Sequence, residues 1–103
     1  MAYQLVLQAR GDALADYDLI VAVEDRLISA LGTVGDVDGH DFGSGESNIF
    51  ILTDDPKAAL ALALPVLDDF GLRGGMRAAY RIVGSAAYTM LWPPNSRDEF
   101  VVL

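Results

Sequence analysis

The chain has 103 residues, no cysteine, and 15 acidic against seven basic side chains, which gives a formal charge of −8. The absence of cysteine excludes disulfides, thiol catalysis and cysteine-based metal sites. The surplus of acid disfavours nucleic acids and anionic membranes as partners, because both attract clusters of Lys and Arg.

The apolar residues suffice for a folded core but not for a membrane span. The longest apolar run, residues 58–67, is about half as long as a spanning helix requires. The first residues lack the basic flank and apolar core of a secretion signal. We therefore expect one soluble, cytoplasmic domain that spans residues 1–103.

Hydrophobic periodicity predicts six regular elements in the order strand, helix, strand, strand, helix, strand. Alternating apolar side chains favour a strand, and apolar side chains at helical spacing favour a helix. The predicted strands are 3–9, 33–42, 48–53 and 76–83, and the predicted helices are 16–31 and 56–70. Residues 84–103 form a tail with two apolar pieces, 88–92 and 100–103.

Cap residues mark the ends of both predicted helices. Asp12 or Asp16 can accept hydrogen bonds from the first turn of the first helix, and Gly32 suits its left-handed end. The triplet 54–56, Asp-Asp-Pro, is typical of a helix start. Pro65 lies inside the second helix and should bend or split it.

The second strand has the features of a sheet edge. Gly35 and Gly39 weaken it and indicate a bulge or bend. Simple alternation would place Asp36, Asp38 and His40 on one face. Charged side chains are common on edge strands, where they block unwanted pairing.

The element order predicts an α+β fold, the ferredoxin-like βαββαβ plait, with a C-terminal extension. Right-handed crossovers would place both helices on one face of a four-stranded antiparallel sheet. Residues 48–53 are apolar on both faces, so this strand should be central and covered on both sides. The first strand should also be central, and the second and fourth should lie at the edges.

The sheet face without helices should carry an apolar patch that needs a cover. Val6, Phe50 and Leu52 fall on this face. Either the tail folds back through Trp92 and Val101, or a second copy of the chain packs there. We expect a homodimer, because exposed apolar patches mark interfaces.

Clustered carboxylates raise the question of a metal site. Asp36, Asp38, Asp41 and Glu46 are the candidate ligands for a divalent cation. Their spacing fails the EF-hand pattern, because Asp41 stands where a glycine is needed and Ser47 where the bidentate acid is needed. A charged edge strand and turn explains them better, and no cofactor is predicted.

His40 is the one side chain whose ordinary pKa lies near neutrality. With Asp38 or Glu46 beside it, His40 could act as a general base. A single histidine without cysteine does not build a zinc site. The glycine-rich run 39–47 lacks the lysine of a phosphate-binding loop, which favours a hairpin turn.

The segment GSGESNIFILTDDP, residues 43–56, resembles a stretch in short bacterial proteins of uncharacterised function. The tail motif YTMLWPP, residues 88–94, resembles the same proteins more loosely. The resemblance implies a plait fold and a bacterial, cytoplasmic origin. It transfers no catalytic residues.

Two functional hypotheses remain open. The favoured one is a small non-catalytic, dimeric binding or regulatory module, with a basic protein partner or, as a special case, a basic toxin that it neutralises. The alternative is a small enzyme or ligand carrier with a pocket between the open sheet face and the tail. That pocket would hold His40, Glu46 and Arg81 together.

Overall fold

The structure is a computed structural model and describes residues 1–10, 16–43, 45–96 and 99–102. In chain order its elements are β1 (Tyr3–Arg10), α1 (Tyr17–Leu31), β2 (Gly35–Gly43), β3 (Glu46–Thr53), α2 (Pro56–Asp69), β4 (Met76–Ile82) and β5 (Thr89–Trp92). The chain is therefore α+β, with two helices and an antiparallel sheet in the described residues. All six predicted elements are present, with ends that differ by a few residues.

Within the described residues the sheet has five strands in the order β2-β3-β1-β4-β5. β1 and β3 are central and β2 is an edge, as predicted. The prediction of four strands is wrong, because β5 pairs with the outer side of β4 through Ala78–Trp92 and Ala79–Met90. The first apolar piece of the tail therefore extends the sheet, and β4 is not an edge.

The helix ends confirm the predicted cap chemistry. The Asp16 carboxylate accepts hydrogen bonds from the N–H groups of Asp18 and Leu19, at 2.8 and 3.4 Å. Gly32 follows α1 with a left-handed φ of 54°. The alternative cap, Asp12, lies outside the described residues.

α2 begins where it was predicted to begin and has no break. The Asp55 carboxylate accepts from the N–H of Ala58 at 3.1 Å, and Pro56 takes the first helical position. The helix runs through Pro65 as one element, so the predicted split does not occur.

Neither helix in the described part of the chain is long and apolar enough to cross a membrane.

Both helices cover the same face of the sheet and form the main core with it. The strands contribute alternate side chains, as the alternation predicted, and the helices contribute one apolar stripe each. The fully buried large side chains of this core are Leu5, Leu7, Ile20, Val23, Leu27, Leu31, Ile49, Ile51 and Leu67.

The opposite, open face carries a second, smaller core that the tail covers. Its buried members are Val6, Ala79 and Phe100. Four partly buried side chains pack around them: Phe50, Tyr88, Met90 and Val102. The tail therefore covers this face with Phe100 and Val102.

The predicted cover by Trp92 and Val101 is wrong. Trp92 pairs with Ala78 and packs against the main core on the helix side. The side chain of Val101 points to solvent. Because β5 pairs with β4, its alternation sends Trp92 to the helix side.

Candidate functional site

The free edge of β2 is the candidate site. β2 has nine residues and, among the residues that the structure describes, pairs with β3 alone, so its outer side presents unpaired backbone N–H and C=O groups. Asp36 and Asp38 are exposed along it. Neither carboxylate forms an ion pair within the part of the chain that the structure describes.

A bulge decides which β2 side chains share a face. Val37 lies opposite Ile51, but Gly39 lies opposite the next residue of β3, Phe50, so Asp38 is the extra residue. This confirms the predicted bulge. It also reverses the alternation beyond Asp38 and places His40 on the helix side, opposite the buried Ile49.

The predicted common face for Asp36 and His40 is therefore wrong. Asp36 lies opposite Leu52, which belongs to the open face, whereas His40 reaches α1 on the other side of the sheet. The glycines indicated a bulge, but only the pairing with β3 shows that it falls between these two residues.

His40 is held by a carboxylate from α1. Its Nδ1 lies 2.9 Å from Oε1 of Glu24, and because a carboxylate can only accept, Nδ1 donates this hydrogen bond. The two side chains are 21% and 14% exposed. The bond fixes the imidazole and leaves Nε2 facing away from Glu24.

Glu24 is the site residue that the sequence analysis missed. The predicted neighbours of His40 were Asp38 and Glu46 instead. Glu24 lies four residues after the buried Ile20, so helical spacing places it at the margin of the apolar stripe. That spacing is the signal that could have identified it.

Two exposed aromatic rings flank the imidazole of His40. The centroid of the Phe42 ring lies 5.3 Å away and that of the Tyr17 ring 5.9 Å away, both edge to face. Tyr17 is 63% exposed and Phe42 is 43% exposed. We refer to the following residues as the edge surface: Tyr17, Glu24, Asp36, Asp38, His40 and Phe42.

The edge surface offers three kinds of contact to one type of partner. Its backbone groups can pair with an added strand. Its exposed carboxylates attract cations, and so do the faces of aromatic rings. An extended segment with Lys or Arg side chains would satisfy all three.

Four arginines of the described residues form contacts away from the edge surface. Arg26 and Arg73 lie 2.6 Å from the carboxylates of Asp69 and Asp68, respectively. Arg77 and Arg81 donate to the carbonyl oxygens of residues 99 and 85, at 2.9 and 2.7 Å. None of these four contacts engages Asp36 or Asp38, the exposed carboxylates of the edge surface.

The three residues predicted to share a pocket do not converge. His40 lies on the helix side of the sheet, whereas Glu46 and Arg81 lie on the open face. Glu46 pairs with Arg10 and Arg81 with Gln4, so about 20 Å of β1 separates them. The described residues contain no pocket.

The predicted metal ligands are also dispersed. Asp36 and Asp41 lie opposite Leu52 and Asn48, at different levels of the open face, and Asp38 occupies the bulge between them. Among the described residues no group of three or more potential ligands is close enough to hold a metal ion.

The predicted interface residues do not form one surface. Val6 is fully buried within a single chain, and Phe50 and Leu52 are half-buried near it on the open face. Trp92 lies on the helix side, where the guanidinium of Arg73 stands 5.4 Å above its ring. The burial of Val6 therefore does not require a second copy.

Comparisons with family models, with curated proteins and with solved structures found no match to this chain. A function is therefore inferred from the geometry of the edge surface.

Proposed function

We propose that the chain is a small non-catalytic binding module that takes a basic, extended segment of a partner protein along the edge of β2. The observation that carries this proposal is the free nine-residue edge itself, with Asp36 and Asp38 exposed along it and two exposed rings at one end. Main-chain pairing would supply affinity, and the carboxylates and rings would select Lys and Arg.

Charge favours a different protein over a second copy as the occupant of this edge. Two β2 edges placed side by side would bring the carboxylates of Asp36 and Asp38 near their own copies, and like charges oppose such pairing. The same carboxylates attract the Lys and Arg side chains of a basic segment. The formal charge of −8 would also speed its approach.

We also propose that the fold is a ferredoxin-like plait to which β5 is added. The order β2-β3-β1-β4 and the shared helix-covered face support this assignment. In this arrangement β2 is the outer strand that stays free, because β5 occupies the other side.

Nuclear magnetic resonance can test the proposal with a defined probe. A ten-residue peptide of alternating Lys and Val should shift the backbone amides of β2 saturably and protect them from hydrogen exchange. A peptide of alternating Glu and Val serves as the control and should do neither. Binding should weaken as salt rises, because exposed charges are screened.

Single neutralising variants locate the contact. Asp36→Asn and Asp38→Asn should each weaken binding of the basic peptide by roughly two- to fivefold, as expected for exposed ion pairs. Asp25→Asn, an exposed residue of α1, changes the net charge equally and should leave the affinity nearly unchanged. Equal losses in all three variants would show non-specific attraction and contradict the proposal.

The special case of an immunity-type protein that neutralises a basic toxin stays a prediction. It shares the charge argument but adds a biological role. Recovery of a basic toxin that is released at high salt, and whose activity the chain inhibits, would support it.

A further inference from the structure

The C-terminal segment 99–102 lies on the open face in the way that a bound peptide lies in its groove. Phe100 is its anchor, 6% exposed, and packs with Val6 and Ala79 at the middle of the sheet. The ring centroid of Tyr88 lies 5.1 Å from that of Phe100. Val102 packs against the same cluster, so alternate side chains of the segment face the sheet.

Side chains of the sheet hold the segment through its main chain. Nη2 of Arg77 donates to the carbonyl oxygen of Glu99, and Nε2 of Gln8 donates to that of Val101, each at 2.9 Å. The guanidinium of Arg77 also stands 5.6 Å from the centroid of the Phe100 ring. Carbonyl oxygens are common to all residues, so only the aromatic position and the partly buried aliphatic position select a sequence.

The segment leaves buried polar atoms beneath it without partners. Gln8 is fully buried, and its Nε2 donates to Asn48 as well as to the tail. Its Oε1 accepts no hydrogen bond from any described residue, and Nε of Arg77 is likewise buried and unpaired. An occupant with a donor near Oε1 would satisfy a group that the tail does not satisfy.

We propose that the open face is a peptide-binding groove that the chain's own C-terminal segment fills. Its other occupant is an extended partner segment with an aromatic side chain in place of Phe100 and an aliphatic one in place of Val102. Entry requires displacement of the tail, which its tether holds at a high effective concentration. The groove lies on the open face and not on the β2 edge, so this inference goes beyond the function proposed above.

The full chain with Phe100→Ala provides the direct test. This variant weakens the tail but keeps the sheet side of the groove. An acetylated peptide with the sequence of residues 98–103 should bind it saturably, at least tenfold more tightly than it binds the unaltered chain. The same peptide with its Phe replaced by Ala should not bind. A folded variant that fails to bind the first peptide would overturn the proposal.

A second measurement keeps the proposal testable if Phe100→Ala does not fold. The same peptide with a spin label is added in millimolar excess to the unaltered, isotope-labelled chain. Broadening of the amide signals of Val6, Gln8 and Ala79 supports the groove. No broadening there, or broadening confined to β2, overturns it.

The control variant is Ile28→Ala, which removes an exposed apolar side chain of α1. It should leave the affinity for the peptide unchanged. The peptide is acidic, so its binding or failure to bind says nothing about the basic probe of the β2 edge, and the two proposals can fail separately.

Discussion

At the scale of single residues, Thr53 joins three parts of the fold. Its buried hydroxyl donates to the carbonyl oxygen of Val34 at 2.7 Å and accepts from the N–H of Asp55 at 3.0 Å. The end of β3, the approach to β2 and the cap of α2 therefore meet at one oxygen atom.

Replacement of that hydroxyl by a methyl group should destabilise the chain. Thr53→Val keeps the volume but leaves a carbonyl and an N–H without this partner, so we expect a loss of about 2 kcal/mol in the free energy of unfolding. Urea denaturation would measure it. Thr33→Val, at an exposed position, should change stability by less than about 0.5 kcal/mol; an equally small effect at Thr53 would contradict the prediction.

The contact between His40 and Glu24 is measurable in the same way. A double-mutant cycle with His40→Ala and Glu24→Ala should give a coupling free energy of about 1 kcal/mol, because the pair is charge-assisted and partly shielded from water. Asp25→Ala in place of Glu24→Ala serves as the control and should show no coupling to His40. A coupling near zero for both pairs would show that the observed hydrogen bond contributes nothing to stability.

The roles of single residues could be predicted where they depend on residues close in the sequence. Asp16, Gly32 and Asp55 act through neighbours a few residues away, so their roles follow from the nearby sequence. The partner of His40 could not be found in that way. Glu24 meets it only because β2 packs beside α1, and the nearer acids Asp38 and Glu46 looked equally suitable.

At the scale of elements, Pro65 is the clearest local conflict. It stands at an exposed position inside α2, where it can donate no backbone hydrogen bond. Pro65→Ala should stabilise the chain by about 2 kcal/mol, the gain in helix propensity less the added freedom of the unfolded chain. Thermal unfolding would report a higher midpoint.

A matched control separates this effect from a general change of the helix surface. Leu62→Ala, at another exposed position of α2, should change stability by less than about 0.5 kcal/mol. A lower midpoint for Pro65→Ala would mean that the helix depends on the proline ring.

The elements that the sequence did not reveal depend on long-range pairing. Thr89–Trp92 has only four residues and no strong alternation, and it becomes β5 because the outer side of β4 offers it a partner. The bulge in β2 was predicted from Gly35 and Gly39, but its position was not. Strands of the core, by contrast, were predicted from their apolar patterns alone.

At the scale of the whole molecule, the path of the tail was the least predictable feature. Trp92 and Phe100 are both large and apolar, and the sequence next to each does not indicate which face of the sheet it will cover. The pairing of β5 sends Trp92 to the helix side, and the chain beyond it brings Phe100 to the open face. The predicted homodimer rested on the assumption that this face needed an external cover.

The homodimer stays a prediction, but the tail covers much of the apolar surface on which that prediction was based. Arg77 and Arg81 do not add to this basis, because both already donate hydrogen bonds to carbonyl groups of their own chain. Leu52, which is half-buried on the open face and is not part of the cluster around Phe100, remains as apolar surface. Light scattering at micromolar concentration should give twice the chain mass of 11.0 kDa; a mass of one chain would remove the claim.

The surplus residue in β2 takes up one step of the chain without shifting the rest of the strand. Val37 lies opposite Ile51 and Gly39 opposite Phe50, so the residues on either side of Asp38 face as they would in an uninterrupted ladder. Deletion of Asp38 should therefore close the bulge and leave the histidine that follows directed toward α1. Insertion of one more residue next to Asp38, with no second bulge to absorb it, should instead turn that histidine to the opposite side of the sheet.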